Sequence, residues 1–137
     1  MYKRQLLSQP QSAIHNPQSP PAPAFLPASW LEETQIRIAA YRELSEAATD
    51  QAVDALETSW RDRFGRLPEA AANLLQIARV KALAAAANIS SVEISGQRLM
   101  LFRNGDYILL EGRRFPRLKA ISPAAKFTET IQMLRTI

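Results

Sequence analysis

The chain has 137 residues, enough for one domain with a real core. Its apolar (47%) and charged (22%) fractions are those of an ordinary soluble globular protein. With no cysteine, disulfides, thiolate metal sites and thiol catalysis are excluded, in keeping with a reducing cytoplasm. No apolar run approaches the roughly 18–20 residues of a membrane span, and no apolar stretch follows Lys3 and Arg4 to make a signal peptide. The net charge of +4 is unevenly placed: residues 31–87 hold nine acids and seven bases, residues 88–137 four acids and eight bases.

Residues 8–24 contain five of the nine prolines and few large apolar side chains. Such a segment has little to bury and is expected to be extended and mobile. Residues 1–25 therefore read as a Pro-rich disordered linker, joining a longer protein upstream, and residues 26–137 as the folded domain. His15 lies in the linker with no ligand mates nearby.

A first helix is predicted from about Glu32 to Ala47, with Ile36, Ala40, Leu44 and Ala47 on one face. Arg37 and Tyr41, four apart, are placed to stack guanidinium on ring. Thr49 or Asp50 caps a second helix that ends at Phe64 with the stripe Val53, Leu56, Trp60, Phe64. Gly65 suits the backbone just past a helix end and Pro68 the first position of the next. Glu69 then places a negative charge in that helix's first turn. The third helix carries Ala71, Leu74, Leu75, Ala78, Ala82 and Ala85 on one side and ends near Asn88. Two helices joined this closely fold back as an αα-hairpin to bury their stripes.

Beyond residue 89 the period becomes extended, and SVEIS, RLMLF and DYILL read as three strands. Asn104-Gly105 is a strong hairpin signal, pairing Arg103 with Asp106, Leu101 with Ile108 and Leu99 with Leu110. A Gly96-Gln97 turn pairs Ile94 with Leu99 and Val92 with Leu101. Both registers put Val92, Ile94, Leu99, Leu101, Ile108 and Leu110 on one face. The opposite face (Glu93, Met100, Phe102, Tyr107, Leu109) needs a cover. The expected cover is a last helix with Ser122 as N-cap, Pro123 at its start and Ala124, Phe127, Ile131 and Leu134 as its stripe. Pro116, in the basic link GRRFPRLK, confines any strand there to an edge. The predicted class is α+β: three N-terminal helices including the αα-hairpin, a short antiparallel three-stranded sheet and a C-terminal helix.

No GxxxxGK[ST] phosphate loop is present and the glycines form no dinucleotide fingerprint. A Ser–His–acid triad would need the linker histidine. The carboxylate pairs Glu32/Glu33 and Glu43/Glu46 read as solvated helix faces, so no enzyme activity is expected.

DRFG at 62–65, LPE at 67–69 and NLL at 73–75, before an Ala-rich helix with Lys81, resemble the C-terminal domain of the bacterial transcription-repair coupling factors, the Mfd family. RIAAYREL at 37–44 resembles the preceding segment of that family, and the match spans roughly residues 26–92. Asn88 departs from the glycine common there. The resemblance implies a non-catalytic regulatory domain of an ATP-driven DNA translocase. That parent displaces stalled RNA polymerase and recruits nucleotide excision repair, binding ATP, Mg, polymerase and DNA through other domains; this fragment would hold no cofactor. The domain is implied to be autoinhibitory, docking on the UvrB-like N-terminal module of the same protein and masking the surface that UvrA binds.

Carried onto this chain, the docking surface is the exposed side of the helix leading into Gly65: Ser59, Asp62 and Arg63, with Arg66 just beyond. Asp62 would meet an arginine of the module in a charge-assisted hydrogen bond, or else pair locally with Arg61, Arg66 or a backbone amide. Where the family can have a second acid one turn earlier, this chain has Ser59. A second surface is the basic set Arg98, Arg103, Arg113, Arg114, Arg117 and Lys119, interleaved with Phe102, Tyr107 and Phe115. It reads either as a nucleic-acid contact, the alternative function, or as solubilising charge around a small sheet.

Overall fold

The Gly65 corner sets the architecture. In the computed structural model, which describes residues 22–137, helix α2 (Asp50–Phe64) stops at Gly65 and α3 (Glu69–Ala86) begins four residues later. Gly65 takes φ 85° and ψ −158°, and its N–H reaches the carbonyl of Arg61 at 3.0 Å. Pro68 stands one position earlier than expected, flanking the helix at φ −65° with its carbonyl accepting from Ala72 N at 2.9 Å. At the start of α2 it is Thr49 that caps, its hydroxyl accepting from Ala52 N at 3.0 Å. Helix α1 (Thr34–Glu46) precedes the hairpin. After α3 come β1 (Ile89–Ser95), β2 (Arg98–Arg103), β3 (Asp106–Tyr107) and α4 (Pro123–Thr136). This is the predicted α+β order.

Helix α3 is not one-sided. Ala71 and Leu75 join Leu26, Leu31, Ala40, Val53 and Trp60 in one apolar cluster. On its opposite side Ile77, Val80 and Ala84 join Val92, Ile94, Leu99, Leu101, Phe127, Ile131 and Leu134 in a second. The predicted stripe described only the hairpin side, and Ala85 is in fact exposed. Being central, α3 holds both clusters together, and each fully buried large side chain contributes about 1.5–3 kcal/mol. It ends at Ala86, and Asn88 adopts the left-handed φ of 60°, the role Asn can take after Gly.

The sheet is antiparallel in the order β1-β2-β3. Val92 faces Leu101, Ile94 faces Leu99 and Arg103 faces Asp106, as predicted. Asn104 and Gly105 both take positive φ, 54° and 82°, as the tight hairpin requires. The third strand, however, stops early. Ile108 N still donates to Leu101 O at 2.8 Å, but Leu99 N donates to Pro116 O at 2.8 Å, not to Leu110. Residues 116–118 return to occupy that edge of β2, and Leu110 is left 46% exposed, pairing with Arg114 across a turn. Pro116 sits where only its carbonyl is asked to bond, consistent with an edge.

Helix α4 also departs from expectation. Phe127, Ile131 and Leu134 pack with the aliphatic face of the sheet and with α3, whereas Ala124 is exposed. The opposite face carries an aromatic ladder instead: Phe102 against Tyr107 and Tyr107 against Phe115, each edge-on at 5.3 Å between centroids. The larger continuous apolar surface attracts the helix, and the return loop supplies Phe115 to the smaller one. Ser122 caps α4 as predicted, accepting from Ala125 N at 3.3 Å.

Residues 22–25, which composition places in the disordered linker, are packed. Ala24 is buried, Phe25 N donates to Ala70 O at 3.2 Å and Asn73 Nδ2 donates to Pro23 O at 2.9 Å. Residues 23–25 thus contact the folded domain, while His15 falls outside the described residues. The expected Arg37–Tyr41 stack gives way to two separate ties. Arg37 donates to the carbonyls of Leu31 (2.6 Å) and Glu32 (3.1 Å), and Leu26 N donates to the Tyr41 hydroxyl at 2.9 Å. Ile36, at 36% exposure, marks the outer limit of the α1 face.

Candidate functional site

The last two turns of α2 carry the predicted docking residues, and packing divides them. Trp60 is fully buried and its indole N–H donates to Glu43 Oε1 at 3.1 Å. Trp30 closes over the helix end, donating from Nε1 to the carbonyl of Phe64 at 3.2 Å and meeting its ring edge-on at 5.6 Å. That bond satisfies one of the carbonyls a helix end leaves free. With Trp60 and Phe64 inward, Asp62 must point outward.

Arg63 lies between. Its Nη2 donates to both oxygens of Glu43 at 2.8 and 3.0 Å, its Nε donates to Ser59 Oγ at 3.1 Å, and its guanidinium lies 4.8 Å from the Phe64 centroid. Burial pushes the Glu43 carboxyl up, but hydrogen bonds from Arg63 and Trp60 and the Arg63 charge outweigh it, leaving its pKa below the usual value. Ser59 and Arg63 are thus bound into the fold through α1. Glu43 is the residue that sequence reasoning misses, having been read as a solvated face. Its position in the RIAAYREL block was the available signal.

Asp62 and Arg66 are exposed, and neither has a side-chain partner among the described residues. Arg61, a candidate local mate, pairs with Glu57 at 2.8 Å. A lone carboxylate in the last turn of a helix is opposed by the helix dipole. Asp62 therefore adds no side-chain contact to the domain among the described residues, although Phe64 and Gly65 beside it form the corner.

The basic set is also divided. Arg98, Arg113, Arg114 and Arg117, with Leu110 and Phe115, line a cleft of about 440 Å³ on the edge of the sheet. Arg98 lies 5.4 Å from the Phe115 centroid. Arg103 turns away to donate to Ala87 O at 3.3 Å. Lys119 is outside the lining; its backbone N–H is held by Glu129 at 2.9 Å.

One further ionic cluster went unpredicted. Arg79, only 6% exposed, donates to Gln76 and bonds Asp54 at 2.6 Å and Glu57 at 3.1 Å, with Asp50 at 3.2 Å. Asp50 also takes Arg135 Nε at 3.0 Å, a hydrogen bond that raises the arginine's pKa further. The cluster clasps α2, α3 and α4 together.

The model of the TRCF domain family matches residues 21–110. Curated relatives are transcription-repair-coupling factors. The one from Haemophilus influenzae is 33% identical over 75 residues, 55% of this chain and 6% of its own length. That from Mycobacterium bovis is 29% identical over 116 residues, 82% of this chain and 9% of its own length. The Escherichia coli relative is 31% identical over 71 residues, 52% of this chain and 6% of its own length. The chain thus spans less than a tenth of these relatives. A crystal structure of the C-terminal domain of transcription-repair coupling factor superposes with a TM-score of 0.58 at 16% identity, over 83% of this chain and 89% of that one. That likeness is one of fold.

Proposed function

This chain belongs to the TRCF domain family, and from that premise we propose that it is a non-catalytic, autoinhibitory domain of a cytoplasmic transcription-repair coupling factor. In this reading it docks on the UvrB-like module of the same protein and masks the surface that UvrA binds. It releases when the parent motor engages stalled RNA polymerase. ATP, Mg and DNA belong to the other domains.

The observation that carries the proposal is Asp62: exposed, in an unfavourable place on its helix, and without a local partner among the described residues. A carboxylate so placed is ready to accept a charge-assisted hydrogen bond from an arginine on a facing surface. Arg66 adds a second free charge, whereas Ser59 and Arg63 act by fixing the helix end that presents both. A contact built on so few charges is small and polar, which suits an interface that must open.

Titration calorimetry of the 137-residue chain against the isolated UvrB-like module tests this. Saturable binding abolished by Asp62→Arg, and restored when the opposing arginine of the module is changed to aspartate, is the expected result. Absence of binding by the unmodified chain refutes it.

A further inference from the structure

The arginine cleft is a separate feature, on the sheet edge and not at the end of α2. It exists because β3 ends early: the chain leaves the edge of β2 after Ile108, turns through Glu111 and Gly112 at φ 54° and 70°, and returns at Pro116. That loop brings Arg113, Arg114 and Arg117 beside Arg98, which faces Arg117 across an antiparallel bridge. Among the described residues no carboxylate lines the cleft. Glu111 comes only within 3.9 Å of Arg114, with both side chains 70% exposed or more. Arg113 and Arg117 have no side-chain partner among the described residues. Four like charges around one hollow repel, and among the described residues only the long, exposed Glu111 contact and the Phe115 ring beside Arg98 offset them.

The floor is apolar and aromatic. Leu110 and Phe115 line the cleft, and Phe115 abuts Tyr107, which is 43% exposed. Guanidinium groups offer paired N–H donors that fit phosphate oxygens, and an exposed ring adds a face on which an unstacked base can lie. A duplex hides its base faces and could use only the arginines. We propose that this cleft binds single-stranded nucleic acid, its phosphodiester backbone held by Arg98, Arg113, Arg114 and Arg117 and a base against Tyr107.

Fluorescence anisotropy of the full 137-residue chain with labelled 20-nucleotide single strands and the matching duplex tests the assignment across a salt series. Neutralising four phosphates at roughly 0.7 ions each predicts a log–log salt slope of about −3 for the single strand. The double variant Arg113→Gln/Arg114→Gln, whose side chains make no hydrogen bond among the described residues, should unfold at the same or a higher temperature and lose about half that slope. Tyr107→Leu should weaken single-strand binding about tenfold while leaving the slope unchanged. Inorganic phosphate and anionic vesicles provide the comparison arms. Equal affinity for duplex or vesicles, indifference to Tyr107→Leu, or an unchanged slope in the arginine variant would each overturn the proposal.

Discussion

Glu43 and Arg63 sit twenty residues apart in sequence and are joined by two hydrogen bonds of 2.8 and 3.0 Å. One belongs to RIAAYREL and the other to DRFG, so the two recognisable blocks of this sequence are joined here, and Ala40, Leu44 and Phe64 of the same blocks share one apolar cluster. The contact fixes the end of α2 against α1, and Asp62 is presented by a helix end held in place from behind.

The Glu43 pair should make stability depend on acid. Because the carboxyl titrates lower when folded than unfolded, its contribution is complete above the unfolded value of about 4.3. It is lost as pH falls through the folded value. Glu43→Gln should cost no more than about 1 kcal/mol at pH 7, since both partners are about 40% exposed and screened. In urea titrations the difference between variant and parent should be constant near neutral pH and shrink progressively as the pH falls through the folded value.

Asp62 should be dispensable for folding. Removing its charge relieves an unfavourable dipole interaction, so Asp62→Asn should leave the unfolding free energy unchanged or raise it by a few tenths of a kcal/mol. The same substitution should weaken docking on the UvrB-like module. A loss above about 1 kcal/mol in thermal unfolding would show that the carboxylate is structural.

Gly65 should resist replacement for reasons of backbone alone. A Cβ there would meet nothing within 4 Å, yet φ 85° with ψ −158° lies in a region essentially confined to glycine. Gly65→Ala should cost about 1–3 kcal/mol by chemical denaturation. Asn88→Gly, at φ 60°, should be neutral or mildly stabilising.

Arg79 should be the most sensitive charged position. Its removal leaves Asp54 without its cation, while Asp50 keeps Arg135 and Glu57 keeps Arg61, and all three retain access to water, with 27%, 60% and 28% of the Asp50, Asp54 and Glu57 side chains exposed. Arg79→Met should therefore cost about 2–3 kcal/mol, below the 3–5 of a sealed pair, measured as a lower urea midpoint. Added salt should not reproduce the effect.

Thr130 offers the opposite sign. It is fully buried and its hydroxyl finds no hydrogen-bond partner among the described residues. Thr130→Val removes that unsatisfied group at nearly constant shape and should raise the melting temperature, with a gain of about 1 kcal/mol.

The candidate docking site was half legible. Asp62 could be placed outward because Trp60 and Phe64, two residues to either side, are apolar and must turn in. The fate of Ser59 and Arg63 could not be read, because the acid that claims them is on another helix. The same holds for the basic set, where the return of residues 116–118 to β2 gathers four arginines while Arg103 is drawn to the Ala87 carbonyl and the Lys119 backbone to Glu129.

By itself the sequence determined what neighbours along the chain can decide: the Gly65 corner, a cap at Thr49 or Asp50, the Ser122 cap, and the Asn104-Gly105 hairpin with the register next to the turn. These follow from local steric and hydrogen-bonding rules acting over a few residues. Only the tertiary structure decided that α3 is buried on two sides, that α4 takes the aliphatic face of the sheet, and that Leu110 loses its strand partner. It alone decided which charges are claimed, through contacts such as Arg135 with Asp50, 85 residues away. Those outcomes are competitions for one surface or one edge among segments distant in sequence, and such a competition is settled only when all the contenders are folded together.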